Sequence, residues 1–150
     1  MNYEERDPFG MYKPIGSNGS GNGSGPDARH GPGPHMMGAD TLIGNDVHNN
    51  DGEDLGDIKE IMLDMRSGNV GYAVLAFGGI FGMGEKLFAV PWQALVLDTE
   101  NKRFVLNVDK ERLRAAPGFD RNHWPNMADQ VWAREIHDYY GTHPHSADAN

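Results

Sequence analysis

Residues 72–92 read YAVLAFGGIFGMGEKLFAVPW, and this stretch decides the fold of the chain. A run of β-branched and aromatic residues leads into a glycine-rich segment and is followed by a second such run before Pro91. Valine, tyrosine and phenylalanine favour a pleated sheet, whereas glycine permits chain reversals that side chains would obstruct. The stretch therefore predicts strands over residues 70–77 and 86–90, joined by an apolar loop over residues 78–84. Because proline cannot donate to a β-ladder, we expect the second strand to end at Pro91 or to lie at an edge there.

The surrounding sequence predicts a small, strongly bent sheet. Both faces of the strand over residues 70–77 are apolar, which is typical of a strand covered on both sides. Four further short strands, separated by turn residues, are predicted over residues 41–48, 55–65, 95–99 and 103–108. Six short strands within about 70 residues favour a small barrel or rolled sheet, because such a shape removes exposed edges.

The C-terminal third is predicted to be helical. Asp109 can cap a short helix that reaches Ala115, and Asp129 can cap a second helix that ends near Tyr140. Gly141 follows as the C-terminal stop. Apolar residues recur at spacings of three and four in the second helix, so we expect one of its faces to pack on the sheet.

The first part of the chain has a different composition from the rest. Glycine, serine, asparagine and proline dominate residues 17–35, and such a segment buries too little apolar surface to become ordered. Met36 and Met37 stand where the ordered part is expected to begin, which suggests a translation start there. The predicted organisation is a disordered tail over residues 1–38, a barrel over 39–108, a helical extension packed on the barrel over 109–141 and a frayed tail over 142–150.

Composition excludes several classes of chemistry. The chain has 150 residues and no cysteine, which rules out disulfides, zinc thiolates and cysteine nucleophiles. No apolar run approaches the roughly 18 residues that span a bilayer, so we expect no integral membrane segment. The N-terminus has acidic residues where a secretory signal would be basic and then apolar. We therefore expect a cytoplasmic protein.

The negative charge is concentrated in one part of the sequence. The net charge is -9, and eight carboxylates stand against a single lysine between Asp40 and Asp64. Such a stretch repels phosphate backbones, so we predict that the protein does not bind nucleic acid there. The stretch either forms a solvated face that keeps the protein soluble or docks a basic partner.

Candidate catalytic and metal-binding groups are few. The glycine-rich loop has the spacing of a phosphate-binding loop, but Glu85 occupies the lysine position and a strand follows instead of a helix. His123 and His137 could approach each other as a metal site, or could serve as surface and capping residues. Ser67, in a predicted turn, is far from any histidine in sequence. We expect no catalytic residue, no metal and no cofactor, and hence no enzyme.

The tip of the predicted loop is the most distinctive surface candidate. Its large apolar side chains must fold back as a plug under the barrel or contact a partner, since exposed apolar patches usually mark partners. We predict that the loop and the tryptophan after Pro91 form a partner-binding surface. Its members are Gly79, Ile80, Phe81, Gly82, Met83 and Trp92.

Four segments give the chain a family resemblance. LGDIKEIMLD (residues 55–64), the stretch quoted first and NKRFVLNVDKERLRAAPGFD (residues 101–120) agree in order and spacing with the PRC-barrel domain family, and HWPNMAD (residues 123–129) also resembles its stand-alone members. The chain most closely resembles stand-alone bacterial members, which are related to the cytoplasmic domain of the photosynthetic reaction centre H subunit. The resemblance covers residues 39–141 and implies a six-stranded β-barrel that contacts proteins and has no catalytic residues.

These considerations lead to one hypothesis and two alternatives. The hypothesis is a non-enzymatic PRC-barrel protein that serves as a protein-interaction or regulatory module, with an unidentified protein partner and the option of a homodimer. The first alternative, by analogy with the reaction centre, is a peripheral accessory of a membrane electron-transfer complex. The second is a sensor of a small ligand or metal that uses the barrel mouth and His123 or His137.

Overall fold

A computed structural model describes residues 36–78, 86–98, 101 and 103–143 of the chain. Both predicted tails lie mostly outside this part of the chain. Three helices and six strands are present in the described residues. In chain order the elements are α1 (Ala39–Leu42), β1 (Asp46–His48), β2 (Asp54–Leu63), β3 (Val70–Phe77), β4 (Lys86–Pro91), β5 (Leu95–Asp98), β6 (Arg103–Leu106), α2 (Lys110–Arg114) and α3 (Gln130–Tyr140).

The six strands form one curled sheet in the order β4-β3-β2-β1-β6-β5. All neighbouring strands are antiparallel except β1 and β6, which are parallel. This parallel pair joins the first part of the domain to the β5–β6 hairpin. The predicted fold class, a mainly β six-stranded PRC-type barrel with C-terminal helices, is confirmed as a curled mixed sheet, a half-barrel in the described residues.

The concave face of the sheet holds the main hydrophobic core. Apolar side chains from every part of the curl meet there, and Leu42 and Leu113 extend the core into α1 and α2. Burying each large apolar side chain stabilises the fold by roughly 1.5–3 kcal/mol. The larger strand residues of this core that are completely or almost completely buried are Val47, Leu55, Ile58, Leu75, Phe88, Val90 and Leu106.

Strand β3 is covered on both faces, as predicted from its apolar pattern. Ala73 and Leu75 belong to the main core. Val74 and Ala76, which point to the opposite face, form a second cluster with Leu87 of β4. The residues packed against this second cluster are Met62, Phe119 and Met127. The chain that follows α2 therefore covers the outer face of the sheet.

Strand β4 lies at one edge of the sheet and ends at Pro91, in agreement with the prediction. The backbone N–H and C=O groups of Leu87 face away from β3, and each forms a 2.8 Å hydrogen bond with Phe119. Because strand residues alternate in direction, Ala89 and Pro91 also present their backbone groups to this outer side. Pro91 therefore ends the strand without removing a hydrogen bond to β3.

The predicted strand over residues 41–48 is wrong in its first half. Ala39–Leu42 is a helical turn and the strand begins only at Asp46, although the backbones of Gly44 and Asn45 already form hydrogen bonds with Ile58 of β2. The side-chain amide of Asn45 donates to the carbonyl oxygens of Thr41 and Leu42, both at 2.8 Å. The Leu42 carbonyl also accepts from the backbone N–H of Asn45, so the side-chain amide adds a second bond there and supplies one to the Thr41 carbonyl at the helix end. These bonds favour the turn over an extended chain.

The helix boundaries follow the predicted capping residues. The Asp109 carboxylate accepts from the backbone N–H of Arg112, and that of Asp129 accepts from Val131. Gly141 follows α3 with φ of 71°, the left-handed conformation that glycine adopts without steric cost. The caps predicted for both C-terminal helices are confirmed.

Candidate contact surface

The predicted contact loop is described only at its margin. Gly79, Ile80, Phe81, Gly82 and Met83 lie outside the described residues, so their role as a partner-binding surface stays a prediction.

Trp92 is described, and its side chain packs against the main core. It begins a 3-10 turn that connects β4 to β5, and its indole is partly buried. The ring centroid lies 5.7 Å from that of Phe104, with the two planes tilted by 58°. Such a pair adds roughly 0.5–1.5 kcal/mol beyond the burial of the rings. In the free chain, Trp92 fixes the connection between β4 and β5.

His137 and His123, the two candidate metal ligands, occupy different environments. His137 is buried on α3, where its Nδ1 lies 2.8 Å from the Thr142 hydroxyl. His123 is exposed, and its Nδ1 lies 2.9 Å from both carboxylate oxygens of Asp120. The hydrogen bond from His123 holds the pKa of Asp120 below its usual value. Within the described residues, no three histidine or carboxylate side chains form a group that could hold a metal ion.

The acidic stretch is distributed over turns and strands, and part of it forms local turn bonds. The Asp54 carboxylate accepts from the backbone N–H of Gly56 at 2.8 Å. The Asp64 carboxylate accepts from the backbone N–H of Arg66 at 2.9 Å, and this bond lowers the pKa of Asp64. Short polar side chains that bind nearby backbone N–H groups are typical of turns. The carboxylates of Asp54 and Asp64 therefore have a structural role, because each stabilises a local turn.

A reciprocal contact fixes α3 to α2. The Tyr139 hydroxyl donates to the carbonyl oxygen of Arg112, while the Arg112 guanidinium donates to the carbonyl oxygen of Tyr139 at 2.6 Å. The guanidinium carbon also lies 4.4 Å from the centre of the tyrosine ring, a cation–π geometry. Together these contacts hold the end of α3 against the barrel.

Tyr140, the next residue, behaves differently from Tyr139. Its hydroxyl is buried, and no hydrogen-bond partner for it occurs in the part of the chain that the structure describes. Burial raises the pKa of Tyr140 well above the usual value of about 10. Ionising this side chain is therefore harder in the folded protein than in the unfolded chain.

We expect Tyr140→Phe to protect the protein against alkaline unfolding. Because the folded-state pKa is raised, the stability contributed by the neutral phenol is complete below pH of about 10 and is lost as the pH rises further. The loss approaches 1.4 kcal/mol per pH unit, and the variant should escape it. Urea unfolding at pH 8 and near pH 11 measures the difference between the two proteins.

The comparison at pH 8 supplies a control for this prediction. Tyr140→Phe removes a buried hydroxyl without a partner and should leave the free energy of unfolding equal or higher. Tyr139→Phe removes a hydroxyl that donates to Arg112 and should lower it by about 1 kcal/mol. An equal alkaline loss in wild type and Tyr140→Phe would contradict the assignment.

Strand β5 is the edge opposite β4, and two of its three apolar side chains are exposed, while Leu95 packs against the main core. Val96 is 62% exposed and Leu97 is 37% exposed. No strand in the described residues pairs with the outer side of β5, whereas β4 has its bridge to Phe119. An apolar edge strand with unpaired backbone groups is a template for another strand. Sequence reasoning predicted the strand but missed this surface; its signal is three consecutive large apolar residues, Leu95 to Leu97.

None of the helices in the described residues has the length and apolar character that a membrane span requires. A family model described as PRC-barrel domain matches residues 34–113, just over half of the chain. The match runs from the residues before α1 into α2, and so includes all six strands. None of the curated proteins matches the chain.

Proposed function

Since the chain belongs to the PRC-barrel domain family, we propose that it is a non-enzymatic cytoplasmic module that acts by contacting another protein. The contact is made by strand addition at the outer edge of β5. This assignment differs from the predicted loop surface, and it rests on described residues.

The filled interior of the barrel supports a contact function. The concave face is occupied by the side chains of the main core, most of them with almost no exposed surface. A small-molecule site needs a concave apolar pocket with a few convergent polar groups. The two imidazoles on which a sensor would depend interact with Thr142 and Asp120 instead.

The single observation that carries the proposal is the exposed apolar edge at β5. Monomeric proteins usually protect such an edge with charges, proline or a covering segment. Leu95–Asp98 has its only charge at its last residue, and Val96 and Leu97 present apolar surface at an edge that no other strand of the described residues pairs with. Strand addition uses those backbone groups for affinity and alternate side chains for specificity.

Site-specific photocrosslinking in the native cell tests this proposal. A photoreactive phenylalanine analogue replaces Val96 in one variant and Val131 in another. Val131 is a matched control because it is also valine, is 72% exposed and lies on α3. We expect discrete crosslinked species from position 96 and only diffuse background from position 131. Equal products from both positions, or none from position 96, would contradict a contact at β5.

A further inference from the structure

The outer edge of β5 fits the same edge of a second copy of this chain. Resting on the proposed function, we infer that two copies pair through antiparallel β5 strands, so that their sheets join into one continuous sheet. Antiparallel pairing of one strand with its own copy is compatible with a two-fold axis, which is the commonest symmetry of homodimers. The axis passes near Val96.

The two edges of the sheet differ in the way that this inference requires. The β4 edge is occupied by Phe119, which forms two backbone hydrogen bonds with Leu87, and it ends in Pro91. Both features prevent the addition of another strand. No comparable feature protects β5 in the described residues. The edge that remains available is thus the one that carries exposed Val96 and Leu97.

The charge distribution allows two copies to approach at this edge. The chain has a net charge of -9, concentrated between Asp40 and Asp64, so two copies repel each other most strongly where those acidic segments approach. The β5–β6 hairpin is different, because the Asp98 carboxylate lies 3.6 Å from the Nε of Arg103 on the neighbouring strand. In a pairing centred on Val96, the two Asp98 residues are about 13 Å apart along the strands, beyond the Debye length at physiological salt.

Side-chain contacts across the axis are apolar in the same arrangement. Val96 of one copy faces Val96 of the other, with Cβ atoms expected about 4.5–5.5 Å apart. Leu95 and Leu97 face each other on the opposite side of the paired strands. Since each strand has only four residues, the interface is small and the dimer is expected to be weak.

Sedimentation of the full chain tests the inference first. Wild type, Val96→Lys and Val131→Lys are compared over concentrations from about 5 to 300 μM. Both valines are largely exposed, so neither lysine should disturb the fold, which thermal unfolding checks. We expect wild type and Val131→Lys to dimerise alike, and the dissociation constant of Val96→Lys to rise at least tenfold, since two lysines then face each other.

A cysteine trap gives an independent measurement that needs no stable dimer. The natural chain contains no cysteine, so Val96→Cys, Leu97→Cys and Val131→Cys each introduce a single thiol. Under mild oxidation we expect rapid disulfide-linked dimers from position 96, which lies on the axis, and slower ones from position 97, whose two copies lie about 8 Å apart. The thiol at position 131 should form them only slowly.

The outcomes separate this inference from the proposed function. A chain that remains monomeric and forms a disulfide no faster at position 96 than at position 131 overturns self-pairing. If position 96 then crosslinks to a different protein in the cell, a contact function at β5 survives. If position 96 crosslinks to residues 1–35 of its own chain, or to nothing, the proposed contact at β5 fails as well.

Discussion

Replacing Gly56 with alanine should lower the free energy of unfolding by at least 3 kcal/mol, as expected for strain and a backbone clash at one site. Gly56 has φ of 100°, and a Cβ built there lies only 2.1 Å from the carbonyl oxygen of Ala76. That oxygen belongs to β3, so it cannot rotate away as the end of a side chain would. Strands β2 and β3 would have to separate where they form the core.

A second glycine substitution separates the energetic cost of the clash from the cost of the left-handed backbone conformation. Gly52 has φ of 82°, but no atom lies within 4 Å of a Cβ built on it. Gly52→Ala should therefore cost only the left-handed conformation, roughly 1–2 kcal/mol. Urea unfolding followed by tryptophan fluorescence measures both variants. Equal losses for the two alanines would show that the contact with Ala76 has no energetic importance.

Gly56 illustrates a general difference: strands can be predicted from the local sequence, whereas a bulge such as the one in β2 cannot. Residues 70–77 were predicted correctly as β3, because propensity and two-sided apolarity are local properties. The bulge in β2 depends on its neighbours. Between the pairs Asp46–Asp57 and His48–Asp54, the chain advances by two residues in β1 and by three residues in β2. Nothing in the residues 55–58 alone gives the distance from Gly56 to the backbone of β3.

The β5 surface was missed for a similar reason. A hairpin over residues 95–106 is predictable from its turn and its apolar runs. Which strand becomes an edge depends on the sheet order, and this order is set by the parallel pairing of β1 with β6. That contact joins segments more than 50 residues apart, with Val47 beside Phe104. The same sequence in a closed barrel would bury the side of β5 that no strand of the described residues covers.

Asn45 is a further residue whose role depends on tertiary structure. After Gly56→Ala, the substitution Asn45→Asp should cause the second large loss in the free energy of unfolding. The Asn45 side chain is fully buried, and its amide nitrogen lies 2.8 Å from two carbonyl oxygens, those of Thr41 and Leu42. Asn45→Asp has nearly the same shape but places an oxygen where the donor was. An unpaired buried charge facing two acceptors costs about 3–5 kcal/mol, which is comparable to the lower range of total domain stability.

The pH dependence of this loss identifies its cause. Burial among acceptors should raise the pKa of the introduced carboxyl above the unfolded value of about 3.9. A raised folded pKa means that the penalty is largest at neutral pH and decreases as the pH falls toward the unfolded value. Urea unfolding of wild type and variant at pH 7 and about pH 4.5 measures the change. A penalty that stayed constant would indicate a steric effect in place of charge.

Asn49→Asp is the matched control. Asn49 is also buried, but its side-chain oxygen accepts backbone hydrogen bonds, whereas the side-chain nitrogen of Asn45 donates them. The Oδ1 of Asn49 accepts from the backbone N–H groups of Asp51 and Glu53 at 3.0 and 2.9 Å, and aspartate keeps both bonds. The bond from its amide to the Glu53 carboxylate, at 2.7 Å, is lost, and the partly buried Glu53 side chain has to turn away from the introduced carboxylate. We expect a cost of about 1–2 kcal/mol, below that at position 45. If the two aspartates destabilised the protein equally, burial alone would account for the effect, and the direction of the hydrogen bonds at Asn45 would be irrelevant.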